Sequence, residues 1–429
     1  MPTPAEQTAL TTLELAQAGR FAEVHEMFAP QLRALVTREA LKTAWEAELA
    51  KLGPVVSVGA ALSEPGPAGA VVVKVPVTCE RGGFALIAPV SAEGRLGGLQ
   101  IAPLSAAAPV APWEPPRYAD PRAFDEQEVT LGPDPFAVAG TLTVPHRAGP
   151  WPGVVLLAGS GSLDRDETIG RNRPLKDIAW GLAGRGVAVL RFDKVTHTHA
   201  AQLTDAHEFT LRDEYLPQAT AAITVLRRHA GVDPVRVFVL GHSLGGTVAP
   251  RVAEADPSVA GMILLAGGAQ PLHWVIVRQS RYLASLNPAT AASSQPVIDA
   301  LTDKARMVDS PELSPSTPAG ELPLGAPASY WLDIRGYDPA ALAATLDTPM
   351  LILQGGRDYQ VTLADDLARW QAALDGRPDV TVRVYPDCNH LFVSGSGPST
   401  PAEYEPAQHV DPAIISDIAQ WLQAIVPSG

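Results

Sequence analysis

From Pro152 onward, the chain repeats one pattern: short, almost entirely apolar segments alternate with longer segments whose apolar residues recur at helical spacing. The apolar segments are PGVVLLAG, VAVLRFD, VRVFVLGHS, GMILLAG, MLILQGGRD and VTVRVYPD. A strand that is apolar throughout is buried on both faces, and the helices between such strands cover those faces. The alternation predicts an α/β fold with a mostly parallel sheet and helices on both sides.

The first hundred residues follow a different pattern. Apolar residues recur at helical spacing over 5–52, and four β-rich segments separated by glycine-rich turns follow, which is typical of an antiparallel meander. Residues 106–116 are rich in Pro and Ala, a composition typical of semi-extended linkers. The sequence therefore predicts a small α+β domain over 1–105, this linker, and a second domain over 117–429.

One interruption in the alternating pattern is too long for an ordinary loop. Residues 271–337 separate GMILLAG from MLILQGGRD and carry several aromatic residues. We interpret them as a cap inserted over the C-terminal edge of the sheet. Tyr330 and Trp331 in this cap are expected to line a substrate pocket, together with His242 and Leu391.

Charge and cysteine content exclude several classes of partner. The chain has 32 basic and 46 acidic residues, a net charge of -14 and no Lys/Arg cluster, so neither nucleic-acid binding nor membrane binding is expected. Cys79 and Cys388 form no metal-ligand or disulfide pattern. His197 and His199 are a weak candidate metal pair, because no third ligand lies near them in sequence; alternatively they line the mouth of a site. We expect no metal and no cofactor.

The N-terminal residues lack the charged and apolar regions of a signal peptide. No apolar run approaches the roughly 20 residues that a membrane helix needs. A cytoplasmic location is therefore expected.

The segment GHSLG, residues 241–245, fits the pattern G-x-S-x-G and lies between an apolar segment and a helical one. This context is typical of a nucleophile elbow, a strained strand-to-helix turn that exposes a serine hydroxyl. The turn places the oxygen of Ser243 at a helix N-terminus, where developing negative charge is stabilised. The alternative interpretation is a glycine-rich turn with an incidental serine.

Two later residues complete the pattern of a catalytic triad with Ser243. Asp358 follows MLILQGG, and His390 follows VTVRVYPD, so the three residues occur in the chain order that accompanies such an elbow. We expect His390 to accept the serine proton and deliver it to the leaving group, and Asp358 to orient the imidazole. Asp193, after an earlier apolar segment, is the alternative acid.

An oxyanion hole needs two hydrogen-bond donors near the serine. The backbone N–H of Leu244 is one expected donor, and the N–H of Ser160, in the segment AGSGSLDRDE, is the other. Arg165 lies between Asp164 and Asp166, where it could pin this loop by charge-assisted hydrogen bonds. A contact between Arg165 and a substrate carboxylate is the alternative.

Several motifs resemble one branch of bacterial α/β-hydrolases, which are esterases and related acyl hydrolases with an added N-terminal domain of the cystatin/NTF2-like type. The motifs are GSGSLDRDETIG, PLKDIAWGLAGRGVAVLRFDK, GHSLGG, PASYWLD, GGRDYQV and NHLF. The resemblance implies the α/β-hydrolase fold, the triad Ser243, Asp358 and His390, and the donors Ser160 and Leu244. The chain departs from its relatives in having Ala158-Gly159 where His-Gly is common, and Ser162 where proline is common.

The combined pattern predicts a carboxylesterase that cleaves small or medium acyl esters through an acyl-enzyme. Aminopeptidase-like or acyl-CoA thioesterase activity on the same triad is the alternative. A binding or scaffold protein is a third hypothesis, in which the N-terminal domain forms a homodimer or binds a ligand. The expected partner is a small-molecule ester.

Overall fold

In the computed structural model, the chain forms two compact units, Met1–Pro112 and Trp113–Gly429. The structure describes residues 2–33, 36–66, 70–107, 113–203, 206–286 and 288–425. The middle of the predicted linker, residues 108–112, lies outside the described residues.

The first unit consists of helices followed by an antiparallel sheet. Its helices are α1 (Pro4–Gln17), α2 (Phe21–Met27), α3 (Pro30–Arg33) and α4 (Arg38–Leu52). Its strands are β1 (Val55–Val58), β2 (Leu62–Pro65), β3 (Val71–Cys79), β4 (Gly82–Val90) and β5 (Gln100–Pro103). The strand order is β1-β3-β4-β5, and β2 also pairs with β3. The NTF2-like assignment stays a prediction.

Local sequence explains how this unit is built. Thr3 caps α1: its hydroxyl accepts a hydrogen bond from the Glu6 N–H, and the Glu6 carboxylate accepts one from the Thr3 N–H. Alternate residues of β3 are fully buried, because successive side chains of a strand point to opposite faces. Trp45 packs edge-on against Phe84 in the same core, with the ring centroids 5.6 Å apart.

The second unit is built on an eight-stranded, mostly parallel sheet, as predicted. Its strands are β6 (Phe124–Leu131), β7 (Val138–Pro145), β8 (Trp151–Leu157), β9 (Ala188–Phe192), β10 (Val232–His242), β11 (Met262–Leu265), β12 (Met350–Gly355) and β13 (Val380–Tyr385). Their order is β13-β12-β11-β10-β8-β9-β7-β6, and only the pairings of β7 with β6 and β9 are antiparallel.

Helices cover both faces of this sheet. They are α5 (Pro174–Ala183), α6 (Val195–Thr198), α7 (Ala200–Leu203), α8 (Leu211–Arg228), α9 (Leu244–Ala255), α10 (Leu272–Ser285), α11 (Pro288–Asp309), α12 (Ala328–Arg335), α13 (Pro339–Ala344), α14 (Ala368–Ala373) and α15 (Pro412–Ala424). Along β10, Val237 and Val239 belong to one apolar core, whereas Phe238 and Leu240 belong to the core on the opposite face. This alternation is why the strand is apolar throughout.

The parallel strands β8, β10, β12 and β13 all run in the same direction, so their carboxyl ends lie along one edge of the sheet. Ligand sites of parallel sheets lie at this edge. Helices α10, α11 and α12 belong to the long insertion between β11 and β12. None of the helices in the described ranges is both long and apolar enough to cross a membrane.

Candidate active site

Ser243 occupies a strained turn between β10 and α9. Its backbone has φ 53° and ψ -118°, a conformation that residues other than glycine rarely adopt. The Ser243 N–H donates to the Leu265 carbonyl at 2.9 Å, which ties the turn to the neighbouring strand β11. Strain of this kind costs about 1–3 kcal/mol and persists only where the surrounding structure enforces it.

The flanking glycines are required by close backbone contacts. A Cβ on Gly241 would lie 2.1 Å from the Gly245 oxygen, and a Cβ on Gly245 would lie 2.3 Å from the Leu157 oxygen. No side chain fits at either position without moving backbone. The spacing G-x-S-x-G therefore has a steric cause in this turn.

Asp358 and His390 form a buried hydrogen-bonded pair. The His390 Nδ1 lies 2.7 Å from Asp358 Oδ2, and both side chains are almost fully removed from solvent. The second carboxylate oxygen, Oδ1, accepts from the Gln360 and Val361 N–H groups at 2.8 and 3.0 Å. These bonds fix the carboxylate, which in turn fixes the orientation of the imidazole and leaves Nε2 available as a base.

The His390 ring lies next to His242, the residue that precedes Ser243. The His242 and His390 ring centroids are 4.8 Å apart, and His242 Nε2 lies 2.9 Å from the His390 carbonyl oxygen. Within the described residues, no hydrogen bond joins Ser243 Oγ to His390. Catalytic hydrogen bonds are often long or misaligned before substrate binds and tighten in the complex.

His242 is held by a buried carboxylate that the sequence did not single out. Glu167 Oε1 lies 2.9 Å from His242 Nδ1 and also accepts the Gly159 N–H at 2.8 Å. Burial opposes protonation of His242, but the Glu167 carboxylate, the His390 carbonyl and the charge of Asp358 together raise the pKa of this histidine. Glu167 thus links the loop after β8 to the loop that carries His390.

The predicted oxyanion donors lie beside Ser243. Ser160, Ser243 and Leu244 line one cavity of about 270 Å³. Leu244 is the first residue of α9, so its N–H has no partner within the helix. The Ser160 N–H makes no hydrogen bond with any residue in the described ranges. A Cβ on Gly159 would lie 3.2 Å from Ser243 Cβ, which shows how closely this loop passes the elbow.

The remaining walls of this cavity come mainly from the insertion between β11 and β12 and carry no formal charge. Helix α10 contributes apolar and amide side chains, and Ile334 and Tyr337 close another side. The lining residues are Ser160, Ser243, Leu244, Thr247, Gly268, Gln270, Pro271, Leu272, Val275, Ile276, Gln279, Ser280, Leu283, Leu324, Ile334, Tyr337, Pro339, Gln360 and Val361. No Asp, Glu, Lys, Arg or His side chain is among them.

The structure corrects the predicted pocket residues. Tyr330 and Trp331 point into the core beneath the insertion: Trp331 is fully buried, and the Tyr330 hydroxyl donates to Glu214 Oε2 at 3.0 Å. Leu391 is also buried and, like His242, does not line the cavity beside Ser243. Tyr330 and Trp331 were predicted to line the pocket because they are aromatic. In the helix α12, however, it is Ile334 that faces the cavity.

The charged loop after β8 is pinned by different partners from those predicted. Arg165 binds Asp193 through its backbone N–H and guanidinium at 2.8–3.1 Å and binds Glu128 at 2.6 Å, rather than its sequence neighbours. Asp166 instead accepts from Arg191 at 2.8 Å. Because Arg165 occupies both carboxylate oxygens of Asp193, that residue is not available as a triad acid.

The histidines after β9 make structural contacts. His197 Nδ1 lies 3.1 Å from the Ser162 carbonyl, and the two ring nitrogens of His199 lie 2.7–2.8 Å from oxygens of Gln202 and Ala137. The described part of the chain has no group of three or more His, Cys, Asp or Glu residues that could hold a metal ion.

Three further residues support the site, although the sequence assigned no role to them; Glu167 and Lys194 lie within motifs of the family resemblance, and Gln354 does not. Gln354, in β12, donates to Asp358 Oδ2 at 3.1 Å. Glu167 and Lys194 bind opposite sides of Gly159. Gln354 is a polar residue inside an otherwise apolar strand, and Lys194 directly follows the segment VAVLRFD, but neither position distinguishes a supporting residue from other polar residues.

The sequence matches the family described as serine aminopeptidase S33 over residues 170–394. Esterase EstD of Thermotoga maritima is 34% identical to this chain over 417 residues, which are 97% of the chain and 95% of that esterase.

Solved hydrolase structures share part of the architecture at low sequence identity. An esterase of Pyrococcus furiosus is 16% identical, has a TM-score of 0.44, and is covered over 98% of its length by 73% of this chain. A 2,6-dihydroxy-pseudo-oxynicotine hydrolase is 17% identical, has a TM-score of 0.43, and is covered over 68% of its length by 70% of this chain.

Proposed function

The chain belongs to the α/β-hydrolase family of esterases, and from this premise we propose that it is a serine carboxylesterase for small, uncharged acyl esters. In this proposal Ser243 is the nucleophile, His390 the general base and acid, and Asp358 the group that orients His390. The N–H groups of Ser160 and Leu244 form the oxyanion hole.

The reaction follows from these roles. His390 Nε2 accepts the Ser243 proton as Oγ attacks the ester carbonyl, and the developing oxyanion is stabilised by the two backbone N–H groups. His390 then donates the proton to the leaving alcohol, which leaves an acyl group on Ser243. Water attacks this acyl-enzyme by the same steps in reverse, with His390 again as the base.

The observation that carries the substrate class is the uncharged cavity of about 270 Å³ beside Ser243. This volume is at the small end for ligand sites, which supports short rather than long acyl chains. Its lining is apolar with a few amide and hydroxyl groups, and these groups can orient a neutral ester without requiring a charged substrate.

Aminopeptidase activity is the second candidate, because the matching family is described by that activity. An aminopeptidase must stabilise the α-ammonium of its substrate, and the cavity offers no carboxylate for this purpose. A thioesterase for acyl-CoA would need basic groups for the phosphates, and the lining carries none. We therefore expect turnover of aminoacyl anilides and acyl-CoA esters to be much lower than that of simple esters.

Kinetics on p-nitrophenyl acetate, butyrate, octanoate and palmitate test the proposal. We expect kcat/KM to be highest for the short esters and to fall for the long ones. Ile276→Ala, which enlarges the cavity, is expected to shift the preference toward octanoate. Leu286→Ala is the matched control, because Leu286 follows the same helix but is 37% exposed and lies outside the cavity. Highest activity on aminoacyl anilides, or no shift with Ile276→Ala, would contradict the assignment.

A further inference from the structure

Lys194 is a buried ammonium in the core of the second unit. It is 1% exposed, although lysine is rarely buried unless its charge is paired and hydrogen-bonded. Its Nζ lies 2.7 Å from the Gly159 carbonyl oxygen, 2.9 Å from the Tyr215 hydroxyl and 2.8 Å from Glu214 Oε1. The ion pair with Glu214 compensates the charge of Lys194. It does not explain why the ammonium also contacts the Gly159 carbonyl.

The Gly159 carbonyl belongs to the peptide bond that carries the Ser160 N–H. This bond is trans, since the cis peptides in the described residues are those before Pro135 and Pro150. In a planar trans peptide the C=O and N–H point in opposite directions. A group that holds the Gly159 carbonyl in the core therefore directs the Ser160 N–H away from the core, on the side where Ser160 lines the cavity with Ser243.

Two donors hold this carbonyl. Besides Lys194, the Tyr215 hydroxyl lies 2.9 Å from the same oxygen and 2.9 Å from the Ala158 carbonyl oxygen, so its one proton is shared between the two, and burial raises the pKa of Tyr215 so that its hydroxyl stays protonated. On the other side of the residue, the Gly159 N–H donates to Glu167. Gly159 is thus fixed on both of its peptide bonds.

The position of the Ser160 N–H matters because the loop is in near contact with the elbow. A Cβ on Gly159 would lie 3.2 Å from Ser243 Cβ, so a small tilt of the Gly159–Ser160 peptide would move the donor relative to a bound acyl oxygen. An ammonium on the carbonyl oxygen also withdraws electron density from the amide, which makes its N–H a stronger donor.

We propose that Lys194 is a positioning residue for the oxyanion hole: its ammonium orients and polarises the Gly159–Ser160 peptide so that the Ser160 N–H stabilises the tetrahedral intermediate. The inference rests on the proposed function, in which Ser160 is an oxyanion donor. Lys194 acts on this peptide and does not touch substrate. Glu214 balances the charge of Lys194, and the Tyr215 hydroxyl is a second hydrogen-bond donor near the Gly159 carbonyl.

The test compares Lys194→Met, Glu214→Gln and the double variant Lys194→Met/Glu214→Gln. The double variant removes the ammonium without leaving an unpaired buried carboxylate. We expect both Lys194 variants to lower kcat about 10- to 100-fold with KM nearly unchanged, because the lost interaction acts only in the transition state. Their affinity for a trifluoromethyl ketone inhibitor should fall by a similar factor. Glu214→Gln alone leaves Lys194 without its counter-charge, so its melting temperature measures the cost of the lost ion pair.

A purely structural role predicts a different result. If Lys194 only pairs with Glu214, the double variant should recover both thermal stability and kcat, and this outcome would overturn the proposal. Should Lys194→Met not fold, Tyr215→Phe removes the second donor to the same oxygen with little change in volume. Tyr215→Phe is expected to lower kcat and ketone affinity together by a few-fold, and unchanged values of both would also contradict the proposal.

The two proposals fail in distinguishable ways. If Ser243→Ala retained full ester turnover, the proposed function itself would be wrong. If Ser243→Ala is inactive while the Lys194 variants keep normal kcat and ketone affinity, only the role of Lys194 is wrong.

Discussion

The two units of the chain differ most in what they bury. In the described part of the first unit, Thr12 is the sole buried residue with a polar side chain, and the core is otherwise apolar. The second unit buries lysine, arginine, histidine and several carboxylates. It also contains all of the non-glycine residues with positive φ in the described ranges, among them Ser243 and Glu167.

This difference indicates where the chemistry lies. Burying a charge or straining the backbone lowers stability, so neither persists without a compensating interaction. In the second unit, Glu167, Lys194, His242, Asp358 and His390 all contact the loops around Ser243 or one another. Other buried charges of this unit, such as Arg251 and Asp177, form ion pairs elsewhere. The buried side chains of the first unit are, by contrast, almost all apolar.

The largest difference in kcat between the two units is expected when a histidine of each is replaced by alanine. His390→Ala should lower kcat by about 10⁵-fold or more, because the serine then has no base. The polar contacts of His25 within the described residues are with the Arg33 carbonyl and Glu26 in the first unit, and His25→Ala should leave kcat unchanged. Steady-state kinetics on a short p-nitrophenyl ester measures both variants. Comparable losses in the two would remove the distinction between the units.

A glycine comparison tests the steric strain at the elbow. Gly241→Ala places a Cβ 2.1 Å from a backbone oxygen and should lower the free energy of unfolding of the second unit by about 3 kcal/mol or more. Gly98 in the first unit has its nearest neighbour at 3.6 Å, an ordinary contact, so Gly98→Ala should change stability by less than about 1 kcal/mol. Calorimetry of both variants checks this, and a mild effect of Gly241→Ala would mean that the elbow is less constrained than its contacts indicate.

A core truncation in the first unit should separate stability from activity. Trp45 is 6% exposed and packs against Phe84, so Trp45→Ala is expected to destabilise that unit by about 3–5 kcal/mol. Because every proposed catalytic group belongs to the second unit, kcat measured well below the unfolding transition should be unchanged. A large fall in kcat at a temperature where the variant is still folded would show that the site depends on the first unit.

The smallest effect concerns the pair of Glu167 and His242. The raised pKa of His242 means that its contribution to stability is fully present below about pH 6.5 and is lost as pH rises through the folded pKa. Removing the Glu167 carboxylate leaves burial, which lowers the pKa of His242, opposed by the remaining effects of the His390 carbonyl and Asp358. Glu167→Gln should therefore lower the His242 pKa in an NMR titration and lower Tm more at pH 6 than at pH 9. An unchanged His242 titration would contradict this coupling.

The sequence predicted the sheet, the helices and the elbow because each has a local cause. Uniformly apolar segments specify buried strands, and GHSLG specifies a turn in which side chains at 241 and 245 would collide with backbone. Helix α8 also has a local cause at its start, where Thr210 and Asp213 form a capping box.

The pocket and its supporting residues depend on contacts that are remote in sequence. Whether Trp331 or Ile334 faces the cavity depends on how α12 packs, and aromatic content carries no information about that. Likewise, Lys194 contacts Gly159 across 35 positions, and only the folded sheet brings the two together.

The most direct test of the central claim is fluorophosphonate labelling followed by mass spectrometry of the digested protein. Attack by an activated serine should yield a single adduct on the peptide that carries Ser243, with ester hydrolysis lost in proportion to labelling. Ser243→Ala should neither react nor hydrolyse esters above the background rate. An inactivating adduct on another peptide, or full ester turnover by Ser243→Ala, would contradict the assignment of Ser243 as the nucleophile.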